Sequence, residues 1–221
     1  MTNKVESAPY PVNKSVNVVI PGRQMLDLRF MDVSRQLATL FWQYEAFQWD
    51  PDKGFVLASG ETSPYYVDCR ALLAHPDARW LVAQLACAAI RDLPFDAVGG
   101  LEIGAIPLAT AISDYAVATQ PRKTYRTFVV RKQAKSHGLG KRIEGAIKPN
   151  DRVLVVDDVL TSGGSLLQTT QAAREAQLRV SHALVIVDRQ EQDGKQKIEA
   201  QGVSLISLLT LDDLKTAQPG T

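Results

Sequence analysis

The sequence predicts an α/β fold with a central, mainly parallel sheet flanked by helices. Short runs of consecutive apolar β-formers, Val-Leu-Val-Val at 153–156 and Ala-Leu-Val-Ile-Val at 183–187, read as strands buried on both faces. Two such runs, at 97–98 and 153–156, lead into small-residue loops that open into helical spacing. A length of 221 residues, 45% of them hydrophobic, suffices for one such domain with a full core and a small appendage.

Composition narrows the function classes. Lys and Arg total 25 against 24 Asp and Glu, a formal charge of +1, so bulk electrostatics points to neither nucleic acid nor membrane. Cys69 and Cys87 are too few and too far apart for a disulfide scaffold or a metal site, and fit reduced thiols of a cytoplasmic protein. No apolar run reaches transmembrane length, and the first seven residues lack the apolar core of a secretion signal.

Residues 1–31 read as an extension punctuated by Pro9, Pro11, Pro21 and Gly22, with one short strand over 16–20. Asp32 or Ser34 is expected to cap a helix through Leu37, Leu40, Phe41, Tyr44 and Glu45, and the aromatics Phe41, Trp42, Tyr44, Phe47 and Trp49 to pack. A hairpin follows: an apolar strand from Phe55, a turn at Ser59-Gly60, and a return strand from Tyr65 to Cys69 entered through Pro64. Asp77 to Ile90 reads as a core helix. Residues 97–108 form strand, glycine-rich loop and helix, whose amides could hold a phosphate. A strand over 127–130 leads into the basic segment 131–145, with few apolar anchors and therefore mobile when empty. Further strands are expected over 183–189 and 203–209, with a short helix from Leu211.

The segment 153–165 carries the chemistry. After its apolar strand come Asp157 and Asp158, then Thr161, Ser162, Gly163, Gly164 and Ser165, and a helix with Leu166, Leu167, Thr170, Ala173, Ala176 and Gln177 at helical spacing. Strand, small-residue loop and helix N-terminus bind phosphate through free amides and the helix dipole. A carboxylate pair there would repel a bare anion, but suits a ligand that also carries hydroxyls or Mg²⁺. A ribose phosphate bearing a pyrophosphate supplies all of these features. No Gly-Lys-Ser/Thr follows, so this is not a P-loop. The glycine-rich basic segment can close over a polyanion and neutralise charge on a departing phosphate group. Arg189, at the end of its strand, stands where it could grip a carboxylate or a base carbonyl.

The 157–165 motif resembles the 5-phosphoribosyl 1-pyrophosphate (PRPP) signature of type I phosphoribosyltransferases. Over residues 32–215 the chain resembles orotate phosphoribosyltransferases, through that motif, Leu57-Ala58-Ser59-Gly60 with Ser63-Pro64-Tyr65-Tyr66-Val67-Asp68, Arg131-Lys132-Gln133-Ala134-Lys135-Ser136-His137-Gly138, and Asp188-Arg189-Gln190. The resemblance implies a type I phosphoribosyltransferase fold in which a single domain, 32–221, follows the 1–31 extension. Hood and hairpin elements would lie at about 32–75, the core at about 76–215, and a mobile catalytic loop would complete the site.

The resemblance implies these roles. PRPP would be held by Arg131, Lys132, Lys135, His137, Asp157, Asp158, Val159, Leu160, Thr161, Ser162, Gly163, Gly164 and Ser165. Within that set Asp157 and Asp158 would hold ribose hydroxyls, while Lys135 and His137 would stabilise the leaving group or deliver a proton. Orotate would be held by Tyr66, Val67, Thr161 and Arg189. Mg²⁺ would be held mainly through PRPP, with Asp157 and Asp158 reaching it through water. A homodimer would share the 131–145 loop across subunits, with no nucleic-acid or membrane partner. Two positions depart from many members: Ala58 stands where they have Lys, and Ile103-Gly104 where they have Tyr-Lys. Arg70 and Arg142 are the candidates to make good the lost cations. Transfer to another base, and a non-catalytic PRPP sensor, are the alternative readings.

Overall fold

The computed structural model describes residues 28–56, 62–120, 123–133 and 142–218. The expected strand at 16–20, Ala58 and the Ser59-Gly60 turn, and Lys135 and His137 lie outside the described residues.

Ten strands and seven helices are described. The core sheet has the order β10(Ser204–Thr210)-β9(Arg179–Asp188)-β8(Arg152–Leu160)-β5(Ala97–Leu101)-β6(Arg126–Val130)-β7(Ile143–Gly145). All neighbours pair parallel except β7, which runs antiparallel along β6. Parallel strands need both faces covered. Helices α1(Leu28–Gln43), α2(Cys69–Ala74), α3(Pro76–Ala89), α4(Ala105–Thr119) and α7(Leu211–Thr216) supply side chains to one core, and α5(Gly164–Glu175) and α6(Gly194–Glu199) to the other. Val153, Leu154, Val155 and Val156 send alternate side chains into the two cores, each with no solvent exposure. Each such side chain contributes roughly 1.5–3 kcal/mol of burial.

Five expectations need correction. Helix α1 begins at Leu28, so Asp32 and Ser34 lie inside it rather than capping it. Leu-Arg-Phe-Met at 28–31 contains no breaker, and the helix propagates through it. The expected single hairpin is two ladders. β2(Phe55–Val56) pairs with β3(Thr62–Ser63), while β4(Tyr65–Val67) pairs with β1(Phe47–Trp49). Cys69 is helical, because Asp68 caps α2 by accepting hydrogen bonds from the amides of Arg70 and Ala71. The strand β8 does not stop at the aspartates: it runs through them to Leu160, because β9 stays paired beside it as far as Asp188. The basic segment ends as β7 rather than as loop, with Ile143 opposite Val130.

Of the aromatics expected to pack, Phe41 and Phe47 are buried and Trp42 meets Phe47 edge-on, but Trp49 is half exposed. Gln177 lies just past α5, in the left-handed region at φ 61.

Candidate active site

β5 leads to β6 on one side and faces β8 on the other, so the crevice between β5 and β8 is the topological switch point of the sheet. Ligands bind there, beyond the carboxyl ends of the strands. The β5–β8 ladder stops at Val155, whereas β8 and β9 remain paired to Leu160. The strands part where the aspartates begin, and a cleft of about 510 Å³ opens.

Asp157 and Asp158 form the cleft floor. Freed from β5, the Asp158 amide donates to Asp157 Oδ1 at 3.0 Å and the Val159 amide to Asp158 Oδ1 at 2.9 Å. Asp157 is only 9% exposed. Burial first, then the Asp158 carboxylate beside it, pushes its carboxyl up to about 7, against opposing hydrogen bonds from the Asp158 amide and from Ser165. Two carboxylates forced this close call for a cation or for hydroxyl donors. Such a pair could hold the water shell of a divalent cation; among the described residues no cluster of three or more His, Cys, Asp or Glu is present.

One part of the lining is the 161–165 loop. Thr161, Ser162 and Ser165 line the cleft, and Gly163 takes φ 80, a conformation that favours glycine, to turn the chain into α5. The loop after β5 contributes Glu102, Ile103 and Gly104 to the lining. A Cβ on Gly104 would lie 2.9 Å from the Asp158 carboxyl group, so a side chain there would crowd the aspartate. Glu102 Oε1 accepts from the Lys132 amide at 3.0 Å, tying this loop to the root of the basic segment. Val67, Asp68, Cys69, Arg70, Arg189 and Gln192 also line the cleft.

The structure gathers most of the sequence-predicted residues. Lys132, Asp157, Asp158, Val159, Thr161, Ser162, Ser165, Val67 and Arg189 line one cleft. Leu160 is a buried strand residue, and Gly163 and Gly164 build the turn into α5. Tyr66 does not line the cleft, as its ring lies 5.7 Å from that of Phe55. Arg131 also stands outside, with Nη1 3.1 Å from Glu144 Oε1 across the β6–β7 ladder. Of the two candidates to replace the lost cations, Arg70 lines the cleft, its side chain 64% exposed and 3.5 Å from Asp68. Arg142 lines a separate surface groove beside Glu175.

Sequence reasoning missed Asp68, Cys69, Glu102 and Gln192. Asp68 was legible as an N-cap before an apolar run. Glu102 lies in the 97–108 loop singled out for its amides, but its own contact carried no signal, because its partner is a backbone amide thirty residues away.

Residues 69–217 match the phosphoribosyl transferase domain. An orotate phosphoribosyltransferase of Aquifex aeolicus is 39% identical over 160 residues, 72% of this chain and 86% of the relative. One of Corynebacterium glutamicum is 42% identical over 158 residues, 72% of this chain and 83% of the relative. The chain belongs to the orotate phosphoribosyltransferase family. The fold is that of the type I enzymes. A Mycobacterium tuberculosis orotate phosphoribosyltransferase crystallised with PRPP superposes with a TM-score of 0.68 at 33% identity, over 83% of this chain and 99% of that one.

Proposed function

We propose that the protein transfers the phosphoribosyl group of PRPP to orotate, giving orotidine 5′-monophosphate and pyrophosphate in pyrimidine biosynthesis. The observation that carries this reading is one cleft lined together by the 161–165 loop, a buried aspartate pair and Arg189. The bond from the anomeric carbon to the pyrophosphate oxygen breaks, and a bond from that carbon to the orotate ring nitrogen forms, with loss of the nitrogen's proton. No protein nucleophile is needed. The 161–165 loop would seat the 5′-phosphate at the N-terminus of α5. Asp157 and Asp158 would accept from the ribose hydroxyls and fix the anomeric carbon beneath the base. Val67 and Arg189 would orient the base, and Lys132, with Lys135 and His137, would meet the charge growing on the leaving group.

Mg²⁺ is proposed as the cofactor, partly neutralising the pyrophosphate. Asp157 and Asp158 are the residues suited to hold its water shell. A homodimer sharing the 131–145 loop is part of the proposal. Ile103, Ile106 and Val117 leave exposed apolar side chains at and along α4, beginning at the cleft. We place the protein in the cytoplasm, where two buried, unbridged cysteines suit a reducing compartment. No described helix is long and apolar enough to cross a membrane.

The test is loss of orotate absorbance on mixing purified protein with PRPP, Mg²⁺ and orotate. Consumption should require PRPP and metal, and uracil, hypoxanthine and adenine should give no turnover. Turnover with one of those bases and none with orotate would transfer the assignment to that base. PRPP binding without any transfer would point to the sensor.

A further inference from the structure

Arg189 stands at the end of β9 with its side chain 5% exposed. Two groups hold one edge of its guanidinium. Nε lies 3.0 Å from Glu191 Oε2, and Nη2 donates to Glu191 Oε1 at 3.2 Å and to Ser63 Oγ at 2.9 Å. Ser63 Oγ also accepts from the Tyr65 amide at 3.2 Å, which fixes the hydroxyl to the start of β4. Nη2 is therefore engaged twice, Nε faces the Glu191 carboxylate without completing a hydrogen bond to it, and the guanidinium so held lines the cleft.

The chain goes to some length to bring Glu191 back. Gln190, Gln192 and Asp193 have φ of 57, 53 and 53, three left-handed residues without a glycine among them. Such conformations are sparsely populated by L-residues and persist only where the surroundings impose them. Here Asp188 Oδ1 accepts from the Gln190 amide at 2.8 Å, and Gly194 lies so close to the phosphate loop that a Cβ would sit 2.2 Å from the Thr161 carbonyl oxygen. The turn that returns Glu191 to Arg189 is thus pinned at both ends.

We propose that Glu191 and Ser63 are positioning residues that clamp Arg189, an inference that rests on the orotate reading of the site. The clamp does two things. It removes the rotamer freedom of a long side chain, so that one guanidinium corner faces the base in a fixed direction. It also neutralises the arginine in advance. A guanidinium already matched by a carboxylate favours a directional hydrogen bond to a ring carbonyl over capture of any small anion. Arg189 becomes a reader of shape rather than a free cation.

The test is a double-mutant cycle on the full chain, read as steady-state kinetics in both substrates. Glu191→Gln and Ser63→Ala should each raise KM for orotate about tenfold or more, with KM for PRPP within about twofold of wild type. In an Arg189→Ala background the same changes should leave kcat/KM for orotate unaltered, because the clamp would have nothing to hold. Equal losses in both backgrounds, or parallel rises in both KM values, would overturn the clamp. Ser63→Ala, a loss of one oxygen, carries the cycle alone should Glu191→Gln not fold. A wild-type protein that neither binds nor consumes orotate would sink the orotate reading itself, and the clamp with it.

Discussion

Replacing Asp157 by asparagine is expected to stabilise the fold at neutral pH while removing activity. Asp157 is buried beside Asp158, and its carboxyl is raised from 3.8 to about 7. Between those two values the folded protein keeps a proton that the unfolded chain has released, so the stability this group contributes below pH 4 is lost progressively as pH climbs to 7. The full penalty at about pH 8 is on the order of 4 kcal/mol, at about 1.36 kcal/mol for each pH unit between the two pKa values. Asparagine carries no charge at any pH and nearly the same volume. The margin of Asp157→Asn over wild type should therefore widen by about 2 kcal/mol between about pH 5.5 and about pH 8. Urea unfolding at fixed protein concentration and both pH values measures it. PRPP turnover by the variant should fall sharply, since the amide cannot accept from ribose hydroxyls as a carboxylate does. A margin that stays flat with pH, or a wild type more stable at about pH 8, would refute the account of a carboxylate destabilised by burial and by its neighbour.

Lys135→Ala and His137→Ala should each lower kcat on the order of 100-fold, the cost of removing a donor from developing negative charge, with the fold intact by circular dichroism; unchanged turnover in both would discard their assignment. Gly194→Ala should raise KM for PRPP several-fold, because its methyl group meets the Thr161 carbonyl oxygen and displaces the phosphate loop. Arg70→Ala should raise KM for PRPP, while Arg142→Ala should leave it unchanged, since only Arg70 lines the cleft; the reverse pattern would show that the 131–145 segment carries the compensating charge.

The site was more legible than the scaffold around it. The 157–165 segment announces itself because acids, hydroxyls and glycines follow one another within a single strand and turn. Local order is enough to predict a local cradle. Val67 and Arg189 come to that cradle from distant parts of the chain; Arg189 was legible from its place at the end of its strand, whereas the route to Val67 was the resemblance.

What the sequence determined by itself is whatever depends on near neighbours: the doubly buried strands at 153–156 and 183–187, the glycine turn into α5 and the helix over α3. The tertiary structure decided everything that depends on a partner. β8 continues through two aspartates because the β9 ladder beside it outweighs the cost of charge at a strand end. Phe47 pairs with Val67 rather than Phe55 with Tyr65, because strand pairing is settled by which edges meet in the fold, not by which runs are adjacent. The Asp157 carboxyl is raised only once burial and Asp158 surround it. Glu191 turns back onto Arg189 through left-handed residues that no propensity favours, and contacts with Asp188 and Thr161 hold them there.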